Sequence, residues 1–241
     1  MYSDDLAHIH HLGFTKLARG FAPELLSLLR RHGIRAAPQR QTTLVEVGCG
    51  SGVLAARLVG AGYDVVGIDQ SPAMIRIARA TAPGARFRVA RLEQARLPPA
   101  SAVIALGEIV TYVPGGLAVL QRFFQRVRRA LRPGGLLVFD FIESAERRTY
   151  RRKVFEGDDW KMVLSASTNR SGRVLTRRMT LRRLIDGRHR QSTESHRIRI
   201  YPRDEMAAAL AAAGFRFEMR RRFGRYRLIP GDLLVVASVS R

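Results

Sequence analysis

Residues 44–52 read Leu44-Val45-Glu46-Val47-Gly48-Cys49-Gly50-Ser51-Gly52: an apolar run, then three glycines at alternate positions, with an acid two residues before the first. The pattern predicts a buried strand turning directly into a helix. Glycines suit such a turn because a Cβ would block close approach of a ligand to the backbone and because these turns often need positive φ. Ligands of open α/β sheets bind there, beyond the carboxyl ends of the strands. A dinucleotide turn would need glycine at position 53, but that residue is Val53 and the third glycine is Gly52. Asp69 closes a second apolar run, Val65-Val66-Gly67-Ile68, about twenty residues past the turn, where a carboxylate can accept hydrogen bonds from ribose hydroxyls. Taken alone, Asp69 would read as a turn or helix-capping aspartate, but its place after this run and before a capped helix favours the ribose reading.

The elements that would hold these residues alternate. Strands are predicted at Thr43 to Gly48, Asp64 to Asp69, Arg86 to Arg91, Ala102 to Gly107 and Leu136 to Phe141. Helices lie between them, one opened by Ser71 as N-cap with Pro72 at its first position. This spacing predicts a doubly wound, mostly parallel α/β sheet. From 160 to 201 the pattern changes to apolar/polar alternation, predicting three antiparallel strands, Trp160 to Asn169, Val174 to Ile185 and Arg190 to Tyr201. A helix, Pro202 to Ala213, and two strands, Arg216 to Phe223 and Leu233 to Val239, follow. The whole chain, 1–241, reads as one domain, with residues 1–40 as a helical lid and 160–201 as an antiparallel β cap after the fifth strand.

The Glu46–Gly52 turn resembles the first motif of class I S-adenosylmethionine-dependent methyltransferases. Val66-Gly67-Ile68-Asp69-Gln70-Ser71-Pro72-Ala73-Met74 is similar to the second motif of the small-molecule members, and Leu131-Arg132-Pro133-Gly134-Gly135-Leu136-Leu137-Val138-Phe139-Asp140 to their entry into the fifth strand. The resemblance implies a seven-stranded sheet with an antiparallel last strand, S-adenosylmethionine as cofactor and S-adenosylhomocysteine as product. It implies that Gly48, Cys49, Gly50 and Gly52 line the methionine portion, that Glu46 faces the ammonium through water, and that Asp69 holds the ribose. Gln70 and Met74 would lie beside ribose and adenine, although Met74 reads nearly as well as core. Tyr2 and Phe14 are candidates to close over the cofactor. The family's adenine-binding acid has two candidate positions: strand counting gives Arg91, counting back from Leu97-Pro98 gives Glu93, and we place the contact at Leu92 and Glu93. Gly107, Glu108 and Tyr112 follow the fourth strand and would lie near the transferred methyl. Glu108 is the candidate general base, with binding of a cationic substrate or support of the loop as its alternatives.

The implied reaction is methyl transfer to an oxygen or nitrogen of a small molecule. Neither an Asn/Asp-Pro-Pro-Tyr motif nor a free cysteine nucleophile is offered, since Cys49 lies in the turn. The net charge of +22 comes almost entirely from arginine, with lysine only at 16, 153 and 161. Arginine-rich codon usage, matched by heavy alanine usage, explains it more simply than a polyanionic partner. Nucleic-acid binding is therefore expected to be nonspecific, with an RNA-modifying enzyme and a nonenzymatic S-adenosylmethionine-binding protein as alternatives. An anionic acceptor would follow if Arg197, Arg199 and Tyr201 face inward, opposite His196, Ile198 and Ile200. His8, His10 and His11 lack the accompanying ligands of a zinc site. No apolar run reaches membrane-spanning length, no secretory leader is read, and a single cysteine suits a reducing compartment. The expectation is a soluble cytoplasmic protein.

Overall fold

The computed structural model describes residues 2–37, 42–145 and 148–239. Two helices, α1 (Asp4–Gly13) and α2 (Lys16–Arg31), precede the sheet. Then come β1 (Thr43–Val47), α3 (Val53–Gly60), β2 (Asp64–Asp69), α4 (Pro72–Thr81), β3 (Arg86–Val89), β4 (Ala100–Ala105), α5 (Gly116–Ala130) and β5 (Leu131–Ile142). An insert of β6 (Tyr150–Glu156), β7 (Trp160–Thr168), β8 (Val174–Ile185) and β9 (Arg188–Arg199) follows. The chain ends with α6 (Arg203–Ala212), β10 (Arg216–Arg220), β11 (Arg222–Phe223), β12 (Tyr226–Arg227) and β13 (Asp232–Ser238).

Seven strands form one sheet in the order β10-β13-β5-β4-β1-β2-β3, parallel except for β13, which runs against both neighbours. Successive residues of the central strands serve opposite layers, as a pleat requires. Leu44, Leu136 and Leu234 pack with α2 and α3, through Phe21, Leu25, Leu54 and Leu58. Val45, Leu137 and Val235 pack with α5 and α6, through Phe123, Phe124, Met206 and Leu210. Burial on both faces explains the near-continuous apolar runs by which these strands are recognised in the sequence. The chain reverses its direction of winding between β1 and its two neighbours, β2 and β4, which puts the switch point at the end of β1.

The structure corrects the sequence reading at several points. The insert has four strands, β6-β7-β8-β9, not three, and starts at Tyr150 rather than 160. Strand β6 is exposed at most of its positions and rich in Arg and Lys, so it shows no clear alternation. The expected lid of residues 1–40 divides: α1 covers the ligand-side end of the sheet, whereas α2 belongs to the core layer. Met1 and residues 38–40 of that lid lie outside the described residues. Tyr201 is buried in the α5/α6 layer and does not share the exposed face of Arg197 and Arg199. No described helix is long and apolar enough to cross a membrane.

Candidate active site

The carboxyl ends of β1, β2, β4 and β5, helix α1 and the inner face of the insert enclose a cavity of about 450 Å³. Of the residues singled out from sequence, Tyr2, Phe14, Glu46, Gly48, Cys49, Gly50, Asp69, Gln70, Met74, Leu92, Glu93, Gly107, Glu108 and Tyr112 all line it. Gly52 does not. Its φ of +77° requires glycine, and a Cβ there would stand 3.0 Å from Ala78 of α4, so it lets α3 pack on α4. Between the two candidate positions for the acid after β3, the wall contains Glu93, in a short 3-10 turn (Leu92–Gln94), and not Arg91. The loop Phe223-Gly224-Arg225-Tyr226-Arg227 lies outside the cavity wall: the Phe223 and Tyr226 rings lie against Phe21 of α2.

At the sheet end of the cavity Asp69 organises the glycine turn. Its Oδ2 accepts the Gly50 N–H (2.9 Å) and its Oδ1 the Ser71 N–H (2.8 Å). Each oxygen keeps lone-pair capacity toward the cavity. Beside it, Glu46 Oε2 is buried with no partner among the described residues. Burial, and then the charge of Asp69, push the Glu46 carboxyl up to about 8. A buried, unmatched carboxylate facing a cavity fits a cationic ligand group. Gly50, with φ +52°, leaves open space where a Cβ would stand. Cys49 is buried, which holds it as a thiol.

The opposite end is built from charges that pair with one another. Glu108 takes an uncommon left-handed backbone (φ +63°) after β4, with its N–H and that of Gly107 both donated to Asp140 Oδ1 (2.9 and 2.7 Å). Its side chain accepts from Arg148 Nη1 at 2.5 Å and Arg177 Nη2 at 3.0 Å. Arg148 also bonds Asp232, and Arg177 Nη1 donates to Tyr112 Oη at 3.0 Å. Burial opposes ionisation of Glu108, but Arg177 and Arg148 outweigh it and hold the carboxyl below the usual range. Both oxygens are taken and the acid is weakly basic, so the geometry corrects the expectation of Glu108 as a proton acceptor and supports its alternative as anchor of the loop. Burial and the Glu108 charge raise the Asp140 carboxyl to about 7 and also raise Asp232.

The sequence reading missed Arg148, Arg177, Asp232 and the pairing of His196. Arg177 had a signal: Leu175-Arg177-Met179-Leu181 is the inward row of β8, so an arginine there breaks an otherwise apolar face. Arg148 and Asp232 had none, because each lies outside regular alternation.

Against known proteins, residues 45–139 match the family described as "Methyltransferase domain". The ubiquinone biosynthesis O-methyltransferase of Methylobacterium sp. (strain 4-46) is 34% identical over 130 residues, covering 51% of this chain and 49% of that protein. The chain thus spans about half the length of that relative. The dTDP-3-amino-3,6-dideoxy-alpha-D-glucopyranose N,N-dimethyltransferase of Streptomyces fradiae is 27% identical over 227 residues, covering 90% of this chain and 86% of that one. The S-adenosylmethionine-bound amino pentose methyltransferase CalS10 of Micromonospora echinaspora superposes with a TM-score of 0.69 at 25% identity, covering 92% and 93%. The match to the methyltransferase family thus covers the part of the chain that holds the glycine turn and Asp69, and the seven-stranded sheet is the fold of S-adenosylmethionine-dependent methyltransferases.

Proposed function

We propose that the protein transfers the methyl group of S-adenosylmethionine to the amine nitrogen of a small polar acceptor, an amino sugar or a molecule of like shape. One observation carries the reading. Two relatives whose likeness extends over about nine-tenths of this chain, and so through β6–β9, are methyltransferases of amino sugars. The O-methyltransferase cited above matches only about half of it. The inner face of β6–β9 forms the half of the cavity away from the glycine turn, so likeness in that half bears on the acceptor.

The cavity wall supports these roles. Gly48, Cys49 and Gly50 flank the methionine portion, Glu46 answers its ammonium, and Asp69 holds the ribose with its remaining lone pairs. Gln70, Met74, Leu92 and Glu93 bound the adenosine, and Tyr2 and Phe14 cover it. Bound S-adenosylmethionine supplies a methyl already activated by the sulfonium charge. The protein's task is then to hold the acceptor in line with the leaving sulfur, a contribution of proximity and orientation. Gly107, Glu108 and Tyr112 shape the wall where that alignment is made. An anionic acceptor loses its support: Arg197 and Arg199 are exposed, and the inward Arg177 is matched by Glu108. A cavity closed by α1 and the insert also suits a small molecule better than an RNA chain.

Incubation with S-adenosylmethionine and a panel of amino sugars, free and nucleotide-linked, beside hydroxyl and carboxylate acceptors, tests this by mass spectrometry. One or two methyl groups gained on an amine are expected. Turnover confined to hydroxyl or carboxylate acceptors would overturn the amine reading.

A further inference from the structure

Among the titratable groups along the acceptor half of the cavity, nearly all are already bonded. Glu108 is held by two guanidinium groups, Asp140 by two backbone N–H groups, Asp232 by Arg148, and the Tyr112 hydroxyl by Arg177. His10, under the lid, has burial to lower its imidazole to about 4, too weak a base for neutral pH. His196 differs. It stands on the inner face of β9, 9% exposed, and lines the cavity. Its Nε2 lies 2.8 Å from Glu194 Oε2, two residues back on the same face of the strand. A carboxylate can only accept there, so Nε2 carries the proton and Nδ1 presents its lone pair. No described residue bonds Nδ1.

The other oxygen of Glu194 accepts the backbone N–H of Ser3 at 3.0 Å and also the Ser3 hydroxyl. Ser3 is the N-cap of α1, its Oγ accepting the Leu6 N–H at 3.3 Å. Tyr2, one residue earlier, covers the cavity with its ring 5.4 Å from the His196 ring, and its carbonyl accepts from Ser71 Oγ at the start of α4. The segment that closes over the cofactor therefore also fixes the carboxylate that orients His196. The remaining charged and titratable groups facing His196 are Arg177, directly across on β8 and matched by Glu108, and Tyr112, whose ring is 5.9 Å away.

We infer that His196 is the general base of the reaction and that Glu194, locked by Ser3 when α1 closes, is its positioning residue. The inference rests on the amine reading given above, and it answers a need of that reading, because an alkyl ammonium has no lone pair with which to attack. The step balances as follows. The acceptor ammonium gives one proton to His196 Nδ1. The freed nitrogen lone pair forms the new N–CH3 bond as the C–S bond breaks, and that electron pair stays on sulfur, giving the neutral thioether. The methylated amine leaves protonated, and His196 returns its proton to solvent when the lid opens. Binding the base to the lid in this way makes proton removal available only once the cofactor is covered.

The test combines kinetics with a readout that needs no turnover. The wild type is first assayed on the acceptor panel; activity on carboxylates or hydroxyls alone refutes the amine reading before any variant is made. On an amine acceptor, His196→Ala should lose about a hundred- to ten-thousandfold in kcat/KM, the usual contribution of a general base. It should also lose the acidic limb of the pH–rate profile and regain rate with added imidazole, while calorimetric affinity for S-adenosylhomocysteine stays within threefold. Glu194→Gln should lower the plateau kcat with little change in KM. Ser3→Ala should do the same to a smaller extent, with Ser3→Thr restoring it. By 15N NMR, the neutral His196 ring should be held as the Nε2–H tautomer in wild type and lose that preference in Glu194→Gln. An active amine methyltransferase whose His196→Ala form keeps both its rate and its acidic limb overturns the base. The same tautomer balance of His196 in wild type and Glu194→Gln overturns the dyad.

Discussion

The two ends of the cavity use carboxylates in opposite ways. At the glycine turn, Glu46 and Asp69 keep capacity that the protein does not satisfy: Oε2 of Glu46 has no described partner, and Asp69 is bonded by backbone N–H groups with no cationic side chain against it among the described residues. Across the cavity, Glu108 and Asp232 are closed around Arg148 and Arg177. Buried charge is costly unless it is paired. At one end the pairing comes from within the fold, so those residues are structural. At the other end no described residue supplies it, and under the proposed function the cofactor would. The contrast predicts that substitutions at the paired end damage stability first, and substitutions at the open end damage binding first.

Arg148→Met puts that distinction to its hardest test. Arg148 is 5% exposed and bridges Glu108 and Asp232. Removing it strands the buried Asp232 and leaves Glu108 to Arg177 alone, which should cost about 3–5 kcal/mol, read as a lower urea midpoint at neutral pH. A loss below about 1 kcal/mol would mean that water already reaches this cluster. Next comes Glu46, whose carboxyl in the fold is raised to about 8 against roughly 4.3 in an unfolded chain. Between these values the folded state holds a proton that the unfolded state releases. The stabilising effect is whole below the unfolded value and is lost as pH rises through the folded one. Relative to Glu46→Gln, the ligand-free wild type should therefore lose stability as pH rises from about 4 toward 8, by at most about 1.4 kcal/mol per pH unit. Bound S-adenosylmethionine, if its ammonium answers Glu46, should flatten that slope. A stability difference that does not vary with pH would show Glu46 to be hydrated.

The same contrast explains what could be read from sequence. The glycine turn, Asp69 and the parallel strands follow from local pattern: buried central strands give unbroken apolar runs, and a tight ligand-side turn demands glycine. The acceptor end is assembled from pieces far apart in the chain. Glu108 follows β4, Arg148 precedes β6, Arg177 sits within β8, and Asp232 opens β13. Their pairing is set by how the insert folds back over the sheet, which no local period records. Strand β6 was invisible because its exposed Arg151-Arg152-Lys153 run hides the alternation. Conversely, β8 and β9 were legible to within two residues because their inner faces pack on α1 and on the β5 end.

At the open end, Asp69→Ala should weaken S-adenosylmethionine binding by about ten- to a hundredfold, as hydrogen bonds to a charged partner contribute roughly 1.5–3 kcal/mol. Because Asp69 also holds the Gly50 and Ser71 N–H groups, Asp69→Asn, which keeps one acceptor, should fall between the two. Calorimetry on variants that melt like wild type measures this. An unchanged dissociation constant would remove Asp69 from the ligand's shell.

The smallest effect is expected outside the cavity altogether. Arg197 lies on β9 between the inward residues His196 and Ile198, points to solvent and has no ion-pair partner among the described residues. If the +22 net charge is compositional, Arg197→Ser should move stability by less than about 0.5 kcal/mol and leave both cofactor affinity and acceptor preference as they were. Exposed arginines still attract polyanions, and that attraction depends on salt, because each neutralised phosphate releases counterions, with a slope of about 0.7 per contact on single strands. The variant should therefore bind RNA of any sequence slightly less tightly at low salt, with a log–log slope reduced by no more than about one contact. Filter binding across a salt series, run beside the methylation assay, reads both quantities. An acceptor preference altered by Arg197→Ser, or tight binding to a single RNA that persists at high salt, would mean that the outer face of the insert takes part in recognition, and the division between a working inner face and a merely solvated outer one would fail.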